Sequence, residues 1–192
     1  MSRSDPAKRQ ARAEELAALL AGRPIVLVGM MGAGKTTVGR RLAAKLNRLF
    51  LDSDEEIEKA AQMSIPEIFE QRGEAEFRAG EARVIARVLK DPDIILATGG
   101  GAFVSAETRA LVNAEAISIW LKAEADILFE RVSRRSNRPL LKTANPRQTL
   151  EKLIAERYPI YADAHVTVLS RDVPQDVVAA DVIEAVLAHL KN

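Results

Sequence analysis

Apolar residues recur in two rhythms along this chain, and the alternation between them predicts its fold. Residues 7–21 set Leu16, Leu19, Leu20 and neighbouring alanines on one side of a helix, with Gly22 as a stop and Pro24 as a barrier to continuation. Ile25-Val26-Leu27-Val28 then runs unbroken, the pattern of a strand covered on both faces in a parallel sheet. Helical spacing returns over 35–47, where Val38, Leu42 and Leu46 fall four apart. Further short apolar runs at 49–51, 93–97, 116–121 and 166–169 alternate with helical stretches at 54–62, 64–72, 74–90, 105–113, 124–134, 147–160 and 175–190. Ser64-Ile65-Pro66-Glu67 has the spacing of a capping box at one helix start. Strand alternating with helix in this way predicts an α/β fold: a five-stranded, mostly parallel sheet sandwiched by helices.

Sheets of this kind bind ligands beyond the carboxyl ends of their strands, and the three most unusual motifs fall there. After the first strand, Gly29-Met30-Met31-Gly32-Ala33-Gly34-Lys35-Thr36 satisfies Gly-x-x-x-x-Gly-Lys-[Ser/Thr] between an apolar strand and a helix. Glycines let backbone N–H groups approach phosphate oxygens and take positive φ. The helix beginning near Lys35 turns the positive end of its dipole toward the anion. Lys35 is expected to reach the β- and γ-phosphates and Thr36 to ligate Mg²⁺. An incidental strand-to-helix turn has no need of all four restricted positions, and the glycine spacing is wrong for a dinucleotide site.

After the second strand, Asp52 and Asp54 bracket one residue. One suits a Mg²⁺-bound water, the other a substrate hydroxyl that it orients or deprotonates; the plainer reading is a cap for the next helix. After the third, Thr98-Gly99-Gly100-Gly101 suggests close approach of a ligand to bare backbone N–H groups, or else a flexible turn. From Arg131 to Arg147 stand six basic residues and no acidic one: Arg131, Arg134, Arg135, Arg138, Lys142 and Arg147. The stretch lacks aromatics, which argues against stacking on nucleic-acid bases and for a lid closing over phosphates, with Arg138 aimed at the transferring group. Arg78 and Arg157 lie in helical patterns, and nothing in their spacing selects them over Arg72 or Arg83.

Composition narrows this picture by exclusion. The 192 residues are 47% hydrophobic with a formal net charge of +1, enough for one sizeable core and without a field that recruits nucleic acid or a membrane surface. There is no cysteine, so disulfides, thiolate metal sites and cysteine nucleophiles are all excluded. The two histidines, His165 and His189, have no metal-ligand spacing. No apolar run has the length of a membrane span and the first residues carry no secretory core, so the expectation is a cytoplasmic protein, and a monomer.

Taken together, Gly29–Thr37, Phe50-Leu51-Asp52-Ser53-Asp54, Glu76-Phe77-Arg78, Thr98-Gly99-Gly100-Gly101, Arg138-Pro139-Leu140-Leu141 and Arg157-Tyr158-Pro159-Ile160-Tyr161 resemble the shikimate kinases, in that family's order and over about residues 24–170. These enzymes belong with the nucleoside monophosphate kinase-like P-loop proteins. The resemblance implies a P-loop kinase fold with a mobile lid near 133–146 and a shikimate-binding region at about 53–81, in one kinase domain over 23–192. Residues 1–22 form a helical extension beyond the family's usual start. It implies phosphoryl transfer from ATP, with Mg²⁺, to the 3-hydroxyl of shikimate, a step toward chorismate and the aromatic amino acids. By position, Gly32, Ala33, Gly34, Lys35, Thr36 and Thr37 would hold the nucleotide, Arg131 would lie against adenine and Arg138 would contact ATP phosphates. Asp54 would bind acceptor hydroxyls and serve as candidate base, Arg78 and Arg157 would hold the carboxylate, Gly100 would offer its N–H, and Asp52 with Thr36 would support the metal. Ser170-Arg171-Asp172-Val173-Pro174 stands where the family has an adenine-contacting loop. A kinase for another polyol acid such as gluconate, and a non-catalytic nucleotide-binding module, are the competing readings.

Overall fold

A computed structural model of the protein describes residues 6–134 and 145–192. Among them, strands β1 (Ile25–Val28), β2 (Leu49–Asp52), β3 (Ile94–Ala97), β4 (Ile117–Lys122) and β5 (Val166–Leu169) form one sheet in the order β2-β3-β1-β4-β5. Every neighbouring pair is parallel, so the sheet is wholly rather than mostly parallel. β1 occupies the centre, with Val26 opposite Leu96 of β3 on one side and Ser118 of β4 on the other. All four residues of β1 and of β3 are buried, which is why their apolar runs show no alternation. The edge strands behave differently: Leu49 of β2 is exposed, and β5 alternates buried with exposed positions.

Eight helices among the described residues cover the two faces: α1 (Pro6–Leu20), α2 (Lys35–Leu46), α3 (Ser53–Ala61), α4 (Ile65–Val88), α5 (Ala106–Glu115), α6 (Ala125–Ser133), α7 (Pro146–Tyr161) and α8 (Gln175–Lys191). The two helices expected at 64–72 and 74–90 run on as α4, kinked at Gly73, whose φ of 79° breaks helical geometry between them. Ser64 caps α4 in the reciprocal arrangement its spacing predicts, its side chain accepting from the Glu67 N–H and the Glu67 carboxylate accepting from the Ser64 N–H. A single 3-10 turn, Ala102–Val104, follows the glycine triplet and buries Ala102 and Phe103, an element the apolar pattern does not announce. No helix of the described residues is long and apolar enough to cross a membrane.

α1 lies against α2 and α8. Its Ala13, Leu16 and Leu20 are buried in the same cluster as β1. Around that contact, Arg12 donates to Glu184 of α8 at 2.9 Å, and Lys191 pairs with Glu15. These ion pairs are exposed and contribute little each; the buried leucines hold the helix down.

Candidate active site

The carboxyl ends of β1, β2 and β3 open into one cavity of about 430 Å³, walled by Met31, Lys35, Thr36, Asp52, Asp54 and Gly100 among others. The loop from Gly29 to Lys35 forms its floor. Gly32 and Gly34 hold φ of 81° and 92°, in the left-handed region that favours glycine. At Gly32 a side chain is doubly barred, since a Cβ would stand 2.8 Å from Val132 of α6. Gly34 caps α2 without any side-chain bond, which leaves N–H groups of the first turn for a ligand.

The Lys35 ammonium is buried and donates to the carbonyls of Gly29 at 2.7 Å and Met30 at 2.9 Å. Thr36 Oγ1 donates to Asp52 Oδ2 at 2.9 Å. The other oxygen of Asp52 accepts the N–H of Asp54 at 3.1 Å and so caps α3. Capping and function are therefore not rivals at Asp52: one oxygen starts a helix and the other faces the phosphate loop. Asp54 lies in the first turn of α3 rather than in a continuing strand, so a helical turn, not strand alternation, brings it to the same cavity as Asp52.

The glycine triplet makes room for side chains. A Cβ on Gly99 would stand 2.7 Å from Asp54 Oδ1, and one on Gly101 would stand 2.6 Å from Arg78 Nη1. The Gly99 N–H is anchored by the fully buried Ser53 hydroxyl at 2.9 Å. The Gly100 carbonyl accepts from Arg157 Nη1 at 3.2 Å and from the Tyr161 hydroxyl. Burial pushes the Tyr161 phenol up to about 12, against the pull of Arg157, so it remains a neutral donor. Asp54, Arg78 and Arg157 thus converge on three consecutive glycines. Arg72 and Arg83 line a separate groove between α3 and α4, which is the distinction that spacing does not provide.

Glu81 is a member of this group that the sequence pattern does not single out. Its side chain is buried, and Oε2 accepts from Arg78 Nη1 at 2.7 Å while Oε1 has no partner. Burial pushes its carboxyl up, Arg78 pulls it back, and Asp54 adds repulsion. The one signal in the sequence is the Arg78-x-x-Glu81 spacing, which places both on one helix face.

At the other end of the cavity, Arg131 bridges two loops. It donates to Ser170 Oγ at 3.0 Å and to the Arg171 carbonyl at 2.7 Å, while Ser170 Oγ donates to the Ala33 carbonyl at 2.7 Å. Arg134 and Thr37 also line this end. Arg138 lies outside the described residues, as does most of the segment expected to form a lid.

A family model described as shikimate kinase matches residues 31–187. A shikimate kinase of Bradyrhizobium diazoefficiens is 56% identical over 176 residues, covering 92% of this chain and 85% of its own length. A solved structure of shikimate kinase from Acinetobacter baumannii in complex with shikimate superposes with a TM-score of 0.85 at 40% identity, covering 90% of this chain and 97% of that one. A gluconokinase of Sinorhizobium meliloti shares the fold alone, at 14% identity and a TM-score of 0.59, covering 89% and 95% of the two chains.

Proposed function

The chain belongs to the shikimate kinase family, and on that premise we propose that it transfers the γ-phosphoryl group of ATP to the 3-hydroxyl of shikimate, giving 3-phosphoshikimate. The observation that carries the acceptor half is the meeting of one carboxylate and two guanidinium groups at the glycine triplet, in the same cavity as the phosphate loop. Shikimate is a small ring with one carboxylate and three hydroxyls. Arg78 and Arg157 hold its carboxylate through charge-assisted hydrogen bonds. That leaves a hydroxyl on the far side of the ring for Asp54 to orient or deprotonate, pointed at the nucleotide. Lys35 and the N–H groups of Gly32–Thr37 hold the ATP phosphates, Gly100 lines the acceptor pocket, and Arg131 flanks the base. Arg138 is assigned to the phosphates by its position in the family motif.

The oxygen donors present suit Mg²⁺. Thr36 hydroxyl and Asp52 carboxylate lie side by side at the phosphate loop, a donor set of the kind that holds this ion together with substrate phosphates and waters. Bound there, the ion would neutralise phosphate charge. All the groups named come from one chain, so a monomer in the cytoplasm, where ATP is supplied, meets every requirement of the site.

The test is an acceptor panel: ADP release with ATP and Mg²⁺ in the presence of shikimate, gluconate or a nucleoside monophosphate. Shikimate-dependent release is expected, and its absence would sink the assignment. A second experiment probes the glycine triplet. In Gly101→Ala the new methyl group displaces the Arg78 guanidinium. The KM for shikimate is expected to rise about 10- to 100-fold, the loss of one charge-assisted bond. Because a flexible guanidinium is what must move, the melting temperature is expected to change little. A rise in the KM for ATP instead would contradict the placement.

A further inference from the structure

Three buried side-chain polar atoms among the described residues have no hydrogen-bond partner: Glu81 Oε1, Trp120 Nε1 and Gln175 Oε1. The first belongs to the acceptor group above, and Trp120 packs behind the phosphate loop among Tyr158 and Tyr161. Gln175 is used by nothing so far described. It opens α8 directly after Pro174 and lines the cavity at the end bordered by Gly34, Thr37 and Arg131. Its Oε1 is turned against Gly34, where a Cβ would stand 2.8 Å away, and its Nε2 donates to the Val173 carbonyl at 3.5 Å, the long limit of such a bond. A buried amide oxygen without a donor is costly, so this orientation is weakly held and another that finds a donor is preferred.

The position says which donor. Phosphates seated on Gly32–Thr37 direct the rest of a nucleotide past Thr37, toward the end of the cavity where Arg131 ties the phosphate loop to the loop after β5. A carboxamide presents one acceptor beside one donor. The N6–H and N7 edge of adenine presents the complementary pair, whereas the O6 and N7 edge of guanine presents two acceptors.

We propose that Gln175 selects the base: its amide turns from Gly34 to the purine edge, Oε1 accepting from N6–H and Nε2 donating to N7, so that adenine nucleotides are preferred over guanine nucleotides. The assignment rests on the nucleotide half of the function above and not on the acceptor half.

Titration calorimetry of the whole protein with ADP, GDP and 7-deaza-ADP, in the absence of acceptor, tests it. The native protein is expected to bind ADP more tightly than GDP or 7-deaza-ADP. Gln175→Leu, similar in shape, is expected to lose about tenfold in ADP affinity, to leave GDP binding nearly as it was and to abolish the 7-deaza penalty. An unchanged ratio of ADP to GDP affinity overturns the proposal. So does an equal loss for both, which would mean that Gln175 only supports Gly34. Should Gln175→Leu not fold, Gln175→Glu keeps the acceptor and removes the donor; it is expected to bind 7-deaza-ADP as well as ADP, and a retained penalty overturns the proposal. Native protein that binds no ADP removes the nucleotide reading and this one together. Native protein that binds ADP but never turns over shikimate removes only the acceptor reading.

Discussion

Lys35→Ala is expected to lower kcat by about 10²–10³-fold at saturating ATP and shikimate, the loss typical of removing one preorganised group from developing charge. Phosphoryl transfer has a loose transition state with charge spread over the moving group, so the protein contributes mainly position and neutralisation. Lys35 is suited to the second. Its ammonium is buried, and the carbonyls of Gly29 and Met30 fix it at the floor of the cavity. In that water-poor setting a charge acts on phosphate oxygens with little screening. The same variant frees two carbonyls, so a stability loss of about 1–2 kcal/mol is expected in a denaturant melt. A near-normal kcat would show that Lys35 is not at the transferring phosphate. A collapse of folding far beyond that loss would show that its main task is to shape the loop.

The second large effect is expected at Asp54→Asn, with kcat lowered by about 10²–10⁴-fold. Asparagine fills the same space, and that matters here because Gly99 leaves clearance for a side chain of just this size. Melting temperature and ATP binding are therefore expected to hold while turnover falls. The KM for shikimate should move less than kcat, because Arg78 and Arg157 anchor the opposite side of the ring. A near-normal kcat would remove Asp54 from the mechanism. A rise in KM with kcat unchanged would reduce it to a binding group.

The order of strands and helices was legible because burial on both faces writes β1 and β3 as unbroken apolar runs. The phosphate loop was legible because its chemistry demands glycines and a lysine at fixed intervals. Asp52 was only half legible: a cap and a functional carboxylate look alike in sequence, and here one side chain is a cap that also faces the P-loop. Glu81 was not legible. It stands in a helix that also carries Glu67, Glu70, Glu74, Glu76, Arg72, Arg83 and Arg87, and only packing decides which of these turns inward. The glycine triplet was legible as a place but not as a cause. Bare N–H groups were the natural explanation, whereas the structure has the missing side chains admitting Asp54 and Arg78. Tyr161 and Ser53 escaped for the same reason, since a buried hydroxyl on a backbone group leaves no trace in spacing.

The seat of α1 on α8 has a consequence for how the chain is made. Arg12 and Glu184 meet across 172 positions of sequence, and Leu16 finds part of its cover in the same contact. At ordinary rates of translation, roughly 5–20 residues each second, the ribosome needs about 10–30 s after α1 emerges before α8 exists to receive it. During that interval Leu16 and Leu20 are an uncovered apolar stripe on a helix that has only α2 to lean on. Completion of the core is therefore a late, long-range event, and the growing chain offers holdase chaperones a binding stripe that the finished protein conceals.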